Sequence, residues 1–133
     1  MLTPSILLIE DHKDFRKAVR RFLELHHIQA RLLEASTGEE GVLLARMKKP
    51  VIVVIDFDLG GINGLEAARQ IKKHLPKCSI IILTMYDPNE IIRKNANGMI
   101  RFFINKGDLS EQLVPVIRRI LHNSNNKHQK RIH

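Results

Sequence analysis

The stretch Val51-Ile52-Val53-Val54-Ile55-Asp56 decides the fold: five aliphatic residues in a row, closed by a single carboxylate. An unbroken β-branched run without polar alternation is the pattern of a strand buried on both faces of a parallel sheet. A matching run lies upstream, Ile6-Leu7-Leu8-Ile9, and it closes on two carboxylates, Glu10 and Asp11. Downstream, Ser79-Ile80-Ile81-Ile82-Leu83 stops at Thr84, and Phe102-Phe103-Ile104 is followed after Asn105 by Lys106. Ligands of open parallel sheets gather in the crevice beyond the carboxyl ends of the strands. One pocket should therefore hold three acids, a hydroxyl and an ammonium.

Two like charges about 4 Å apart repel by roughly 4 kcal/mol at an effective dielectric near 20. A cluster of Glu10, Asp11 and Asp56 thus calls for a hard cation with oxygen ligands, and Mg²⁺ is the natural occupant. A carboxylate can attack phosphorus, while a metal, a hydroxyl and a lysine stabilise charge on the transferring oxygens. The expected reaction is phosphoryl transfer onto Asp56.

Helix signals alternate with these strands. Asp14 is the expected cap of a first helix whose apolar positions Phe15, Val19, Phe22 and Leu23 recur at three- and four-residue steps. Thr37 and Glu40 have capping-box spacing and open a second helix that runs to about Lys48; Asn63 and Glu66 repeat that spacing ahead of a third, which Pro76 ends near His74. Asp87, Pro88 and Glu90 open a fourth, with Gly98 as its expected close. A fifth is expected from about Ser110 to His122, with a late start or a kink because Pro115 removes a backbone hydrogen bond. Five β-then-α units predict an α/β fold with a right-handed, doubly wound parallel sheet.

At 133 residues the chain has the length of one domain, expected over 1–122, with a polar, basic tail or truncated linker at 123–133. A second folded output domain is not expected within these 133 residues. The net charge of +8 is scattered over Lys13, Arg16, Lys17, Arg20, Arg21, Lys72, Lys73, Lys127, Lys130 and Arg131, which reads as solvated helix faces rather than a nucleic-acid footprint. No signal peptide is present and no apolar stretch approaches the roughly 20 residues that span a bilayer, so no membrane association and a cytoplasmic location are expected. The single cysteine, Cys78, excludes an internal disulfide and reads as a packed or surface thiol. His12 stands beside two acids but reads as an ordinary surface histidine, and no other histidine has zinc-ligand spacing.

The order Glu10-Asp11-His12, then Asp56-Phe57-Asp58-Leu59-Gly60-Gly61-Ile62-Asn63-Gly64, then Leu83-Thr84 and Lys106 resembles the receiver domain of two-component response regulators. Ile9-Glu10-Asp11-His12 and Leu83-Thr84-Met85 resemble most the subfamily whose output is a LuxR-type helix-turn-helix domain. The resemblance implies a flavodoxin-like sheet of order 2-1-3-4-5. It also implies Asp56 as phosphoacceptor, Asp11 as direct Mg²⁺ ligand together with Glu10, Asp56 and the backbone carbonyl of Asp58, and Lys106 as the cation. Thr84 and Phe103 take the switch positions. Phosphorylation would then reshape the face made by the fourth helix, fifth strand and fifth helix. The implied partners are a sensor histidine kinase as donor, an output domain or downstream protein, and a phosphorylation-dependent second copy; DNA would be reached only through an output domain. Such a module catalyses its own phosphorylation and slow hydrolysis and is not a metabolic enzyme.

Three departures stand out. Gly60 occupies the position four after Asp56 where receivers usually carry proline, which predicts a less rigid loop. Gly98 precedes Lys106 by eight residues where seven is usual, which implies an extra loop residue or Met99 in a position that prefers glycine. Asp58 and Tyr86 resemble the positions that in receivers tune phosphoryl lifetime, so an altered lifetime is expected. Two other readings compete: a haloacid-dehalogenase-like phosphatase, from the paired aspartates in Val54-Ile55-Asp56-Phe57-Asp58, and a phosphorylation-independent scaffold of receiver fold.

Overall fold

The computed structural model describes residues 3–95 and 98–132, with side chains described through residue 124. Five strands, β1 (Ser5–Ile9), β2 (Arg31–Ala35), β3 (Ile52–Asp56), β4 (Ser79–Thr84) and β5 (Phe102–Asn105), pair in parallel in the order β2-β1-β3-β4-β5. Helices α1 (Lys13–Leu25), α2 (Gly38–Lys48), α3 (Gly64–His74), α4 (Pro88–Lys94) and α5 (Leu109–Ile132) connect or follow them. This is the doubly wound arrangement that the alternating pattern predicts, in the flavodoxin-like strand order that the resemblance implies.

The central strand explains why its sequence is so uniformly aliphatic. Ile52 and Val54 enter one core with Val19 and Leu23 of α1 and Leu113 and Ile117 of α5; Val53 and Ile55 enter the other with Ala45 of α2 and Ile71 of α3. Alternate side chains point to opposite faces and both faces are covered, so no polar residue fits before Asp56. Each such side chain contributes about 1.5–3 kcal/mol relative to exposure.

The caps define where the helices begin. Thr37, Asn63 and Asp87 each accept a backbone N–H of the first turn, from Glu40, Glu66 and Asn89 respectively, as expected. At α1 the cap is His12, not Asp14: its Nδ1 accepts the Phe15 N–H at 3.2 Å, which places Asp14 inside the first turn. The end of α4 also differs. The helix stops at Lys94 with Asn95 as its cap, and Gly98 lies further along, with φ +65° and its N–H donated to the Asn95 carbonyl. Gly98, rather than Met99, thus takes the left-handed position, and the additional residue lies between it and Lys106.

Helix α5 begins at Leu109, directly after a single 3₁₀ turn (Lys106–Asp108), so the late start expected from Pro115 does not occur. Pro115 is exposed, whereas Leu113, Val114 and Ile117 are buried, so the proline lies on the solvent side of the helix. The helix runs on past His122 to Ile132 through a segment free of glycine and proline. Among the described residues no helix is long and apolar enough to cross a membrane. Cys78 is buried, which pushes its thiol up to about 12 and keeps it protonated.

Candidate functional site

The ends of β1, β3 and β5 converge. Glu10 and Asp56 are buried and Asp11 is exposed, and one oxygen from each carboxylate lies within 4.8 Å of the others. Lys106, 96 residues after Glu10, brings its Nζ to 3.3 Å from Glu10 Oε1 and 3.2 Å from Asp56 Oδ1. The same ammonium sits 4.5 Å from the centroid of the Phe15 ring, so one side of it faces α1.

The electrostatics of the cluster are unbalanced without a cation. Burial, followed by the neighbouring Asp56 carboxylate, pushes the Glu10 carboxyl up to about 7, with Lys106 pulling in the other direction. Among the described residues, Glu10 Oε2 is buried with no hydrogen-bond partner. A buried acceptor left unpaired costs about 1–3 kcal/mol, and an oxygen-seeking cation removes that cost. The carboxylate-only donor set and this orphaned oxygen fit Mg²⁺.

The loop after Asp56 wraps around the cluster. Asp58 donates its N–H to Asp56 Oδ1 at 3.2 Å, and Gly60 donates to Asp11 Oδ2 at 3.4 Å. Glu39, in the first turn of α2, accepts the Ile62 N–H at 3.0 Å, next to Gly61 with φ +83°. The loop that lacks the usual proline is therefore tied at three points by carboxylates. At Gly64, a Cβ would lie 2.2 Å from the Asp56 carbonyl oxygen, so only glycine lets α3 start this close to the end of β3.

Thr84 and Phe103 occupy the strand positions expected, but neither touches the acids through a described contact. Thr84 is fully buried, and its Oγ1 accepts the Tyr86 N–H at 3.0 Å. Phe103 pairs in register with Ile82 and is partly buried against the core on the α2 and α3 side. Asn105 joins these elements: its Nδ2 donates to the Tyr86 carbonyl at 3.3 Å, and its Oδ1 accepts the Gly107 N–H at 2.8 Å beside Lys106. Sequence reasoning passed over Asn105, Glu39 and Arg16. Asn105 carried a local signal, a cap-type residue between a strand and a glycine; the other two act through contacts distant in sequence.

Comparison with known proteins identifies the family. The response regulator receiver domain profile matches residues 6–118. Response regulator UvrY of Escherichia coli strain K12 is 32% identical over 117 residues, covering 87% of this chain and 53% of that protein. Transcriptional activator protein ExaE of Pseudomonas putida is 30% identical over 119 residues, covering 88% and 55%. The chain thus spans about half the length of these relatives. A LuxR-family two-component response regulator from Aurantimonas sp. superposes with a TM-score of 0.81 at 28% identity, over 99% of this chain and all of that one. In this sheet Asp56 ends the third strand in chain order, whereas the paired aspartates of the phosphatase reading belong to a first strand. The chain belongs to the receiver domain family of two-component response regulators, signalling domains whose relatives regulate transcription.

Proposed function

We propose that Asp56 is the phosphoacceptor of this receiver, with a sensor histidine kinase as donor and Mg²⁺ held by Glu10, Asp11, Asp56 and the Asp58 carbonyl. The observation that carries this reading is the Lys106 ammonium shared between Glu10 and Asp56 at 3.3 and 3.2 Å. An Asp56 carboxylate oxygen forms the new bond to phosphorus as the bond from phosphorus to the donor's nitrogen breaks. Lys106 neutralises part of the charge that accumulates on the phosphoryl oxygens, and the bound ion supplies Lewis-acid stabilisation of the same oxygens.

The phosphoryl group, with a charge of about −1.5 to −2, then accepts the Thr84 O–H and draws Oγ1 away from the Tyr86 N–H that donates to it. Departure of that hydroxyl frees the loop that Asn105 ties to β5 and opens space for the Phe103 ring, so α4, β5 and α5 form the readout face. An output domain or second copy engaged through this face, with DNA reached through the output domain, accords with the transcriptional relatives. A cytoplasmic location accords with a kinase donor of this class.

Incubation with acetyl phosphate and Mg²⁺, read by intact mass, tests the assignment. One phosphoryl adduct is expected on the wild type and none on D56N. No adduct on the wild type, or an undiminished one on D56N, would defeat it.

A further inference from the structure

The two acids at the end of β1 are not positioned by the strand alone. Glu10 donates its N–H to the Ala35 carbonyl at 3.1 Å, the last backbone tie before the chain leaves the sheet. Its own carbonyl is then taken by Arg16 Nη1 at 2.7 Å, a short, charge-assisted hydrogen bond. The peptide group between Glu10 and Asp11 is thereby pinned. Asp11 itself is exposed, and the described contact of its carboxylate is a long one, 3.4 Å to the Gly60 N–H. The direction in which Asp11 leaves the sheet therefore depends on the peptide before it.

Arg16 has a second anchor. Its Nε donates to Glu34 Oε1 at 2.9 Å, and its side chain is only 13% exposed. Glu34, on edge strand β2, also receives Lys17 at 3.0 Å and Arg20 at 2.8 Å, so three cations of α1 converge on it. A planar guanidinium can serve a carboxylate and a carbonyl at once in fixed geometry, whereas an ammonium cannot reproduce that pair.

We infer that Arg16 is a positioning residue for the divalent-cation site: held by Glu34, it fixes the Glu10–Asp11 peptide and so the place from which Asp11 reaches the ion. This rests on the acids being that site. Partners of this kind typically alter metal affinity by about 10–100-fold when removed.

Titration with MgCl₂, followed through backbone amide NMR shifts, separates the possibilities. R16M is expected to bind Mg²⁺ about tenfold more weakly than the wild type. E34Q, which keeps Arg16 but removes the charge that orients it, should weaken binding by roughly a few-fold for the same reason. In the double variant D11N/R16M, binding should be no weaker than in D11N, because the effect of Arg16 runs through Asp11. A folded R16M protein with wild-type affinity, or full additivity with D11N, would overturn the inference and leave the site reading intact. Should R16M not fold, unchanged affinity in E34Q would overturn it equally. A wild type that shows no Mg²⁺-dependent shifts near Asp11 and Asp56 would remove the site reading and this inference together.

Discussion

The two halves of the sheet's carboxyl edge are built differently. Around β1 and β3, Asp56 follows four fully covered aliphatic residues, Lys106 spans two acids, and Arg16 and Glu39 hold the flanking backbone from neighbouring helices. Around β4 and α4, the helix has seven residues, with Ile91 as its buried side chain, and Met85, Tyr86 and Ile92 stand exposed. The half proposed to perform the chemistry is preorganised, and the half proposed to move is lightly held. Elements that switch are drawn from the low-stability end of a fold.

Truncating one aliphatic residue in each half should expose this difference. Ile55 is completely buried at the sheet centre and Ile91 is buried on the short helix. Ile→Ala changes cost about 2–5 kcal/mol, and the spread reflects how far the surroundings collapse into the space. I55A is expected near the upper end and I91A near the lower, measured by urea denaturation. Equal costs would remove the contrast. Amide hydrogen exchange would sharpen it, with α4 amides of the wild type opening at lower free energy than those of β3.

The smaller effect concerns pH and belongs to the β1–β3 half. Glu10 keeps its proton up to about 7, against an ordinary value of 4.5. Between those limits the folded chain binds more protons than the unfolded one. In the absence of Mg²⁺, stability should therefore fall as pH rises from about 4.5 to about 7, by at most about 3 kcal/mol. The E10Q variant should lose this slope. A slope that persists in E10Q would assign it to another group.

Much of this arrangement was legible in the sequence, and the exceptions have physical reasons. The runs at β1, β3 and β4 announce themselves because both of their faces are covered. β2 does not: Arg31-Leu32-Leu33-Glu34-Ala35 is an edge strand, partly solvated and charged, and only Ala35 of it is buried. Thr37, Asn63 and Asp87 were readable as caps because capping is local, yet at α1 the ring of His12 took the role that Asp14, two residues on, could have filled. Glu10, Asp11, Asp56 and Lys106 were readable from their place at strand ends. The roles of Arg16 and Glu39 were not, since a helical arginine or glutamate looks the same whether it meets water or a backbone group from another loop. For Thr84 the strand end was clear, but the capture of its hydroxyl by Tyr86 depends on the turn of the following loop.

The central claim is that one particular acid receives phosphorus. Phosphorylation with acetyl phosphate and Mg²⁺, borohydride reduction of the acyl phosphate and peptide sequencing by tandem mass spectrometry would locate it directly. Conversion of residue 56 to homoserine is the predicted result. The modification found instead on Asp11 or Asp58, or a phosphoryl group on His12, would contradict the account.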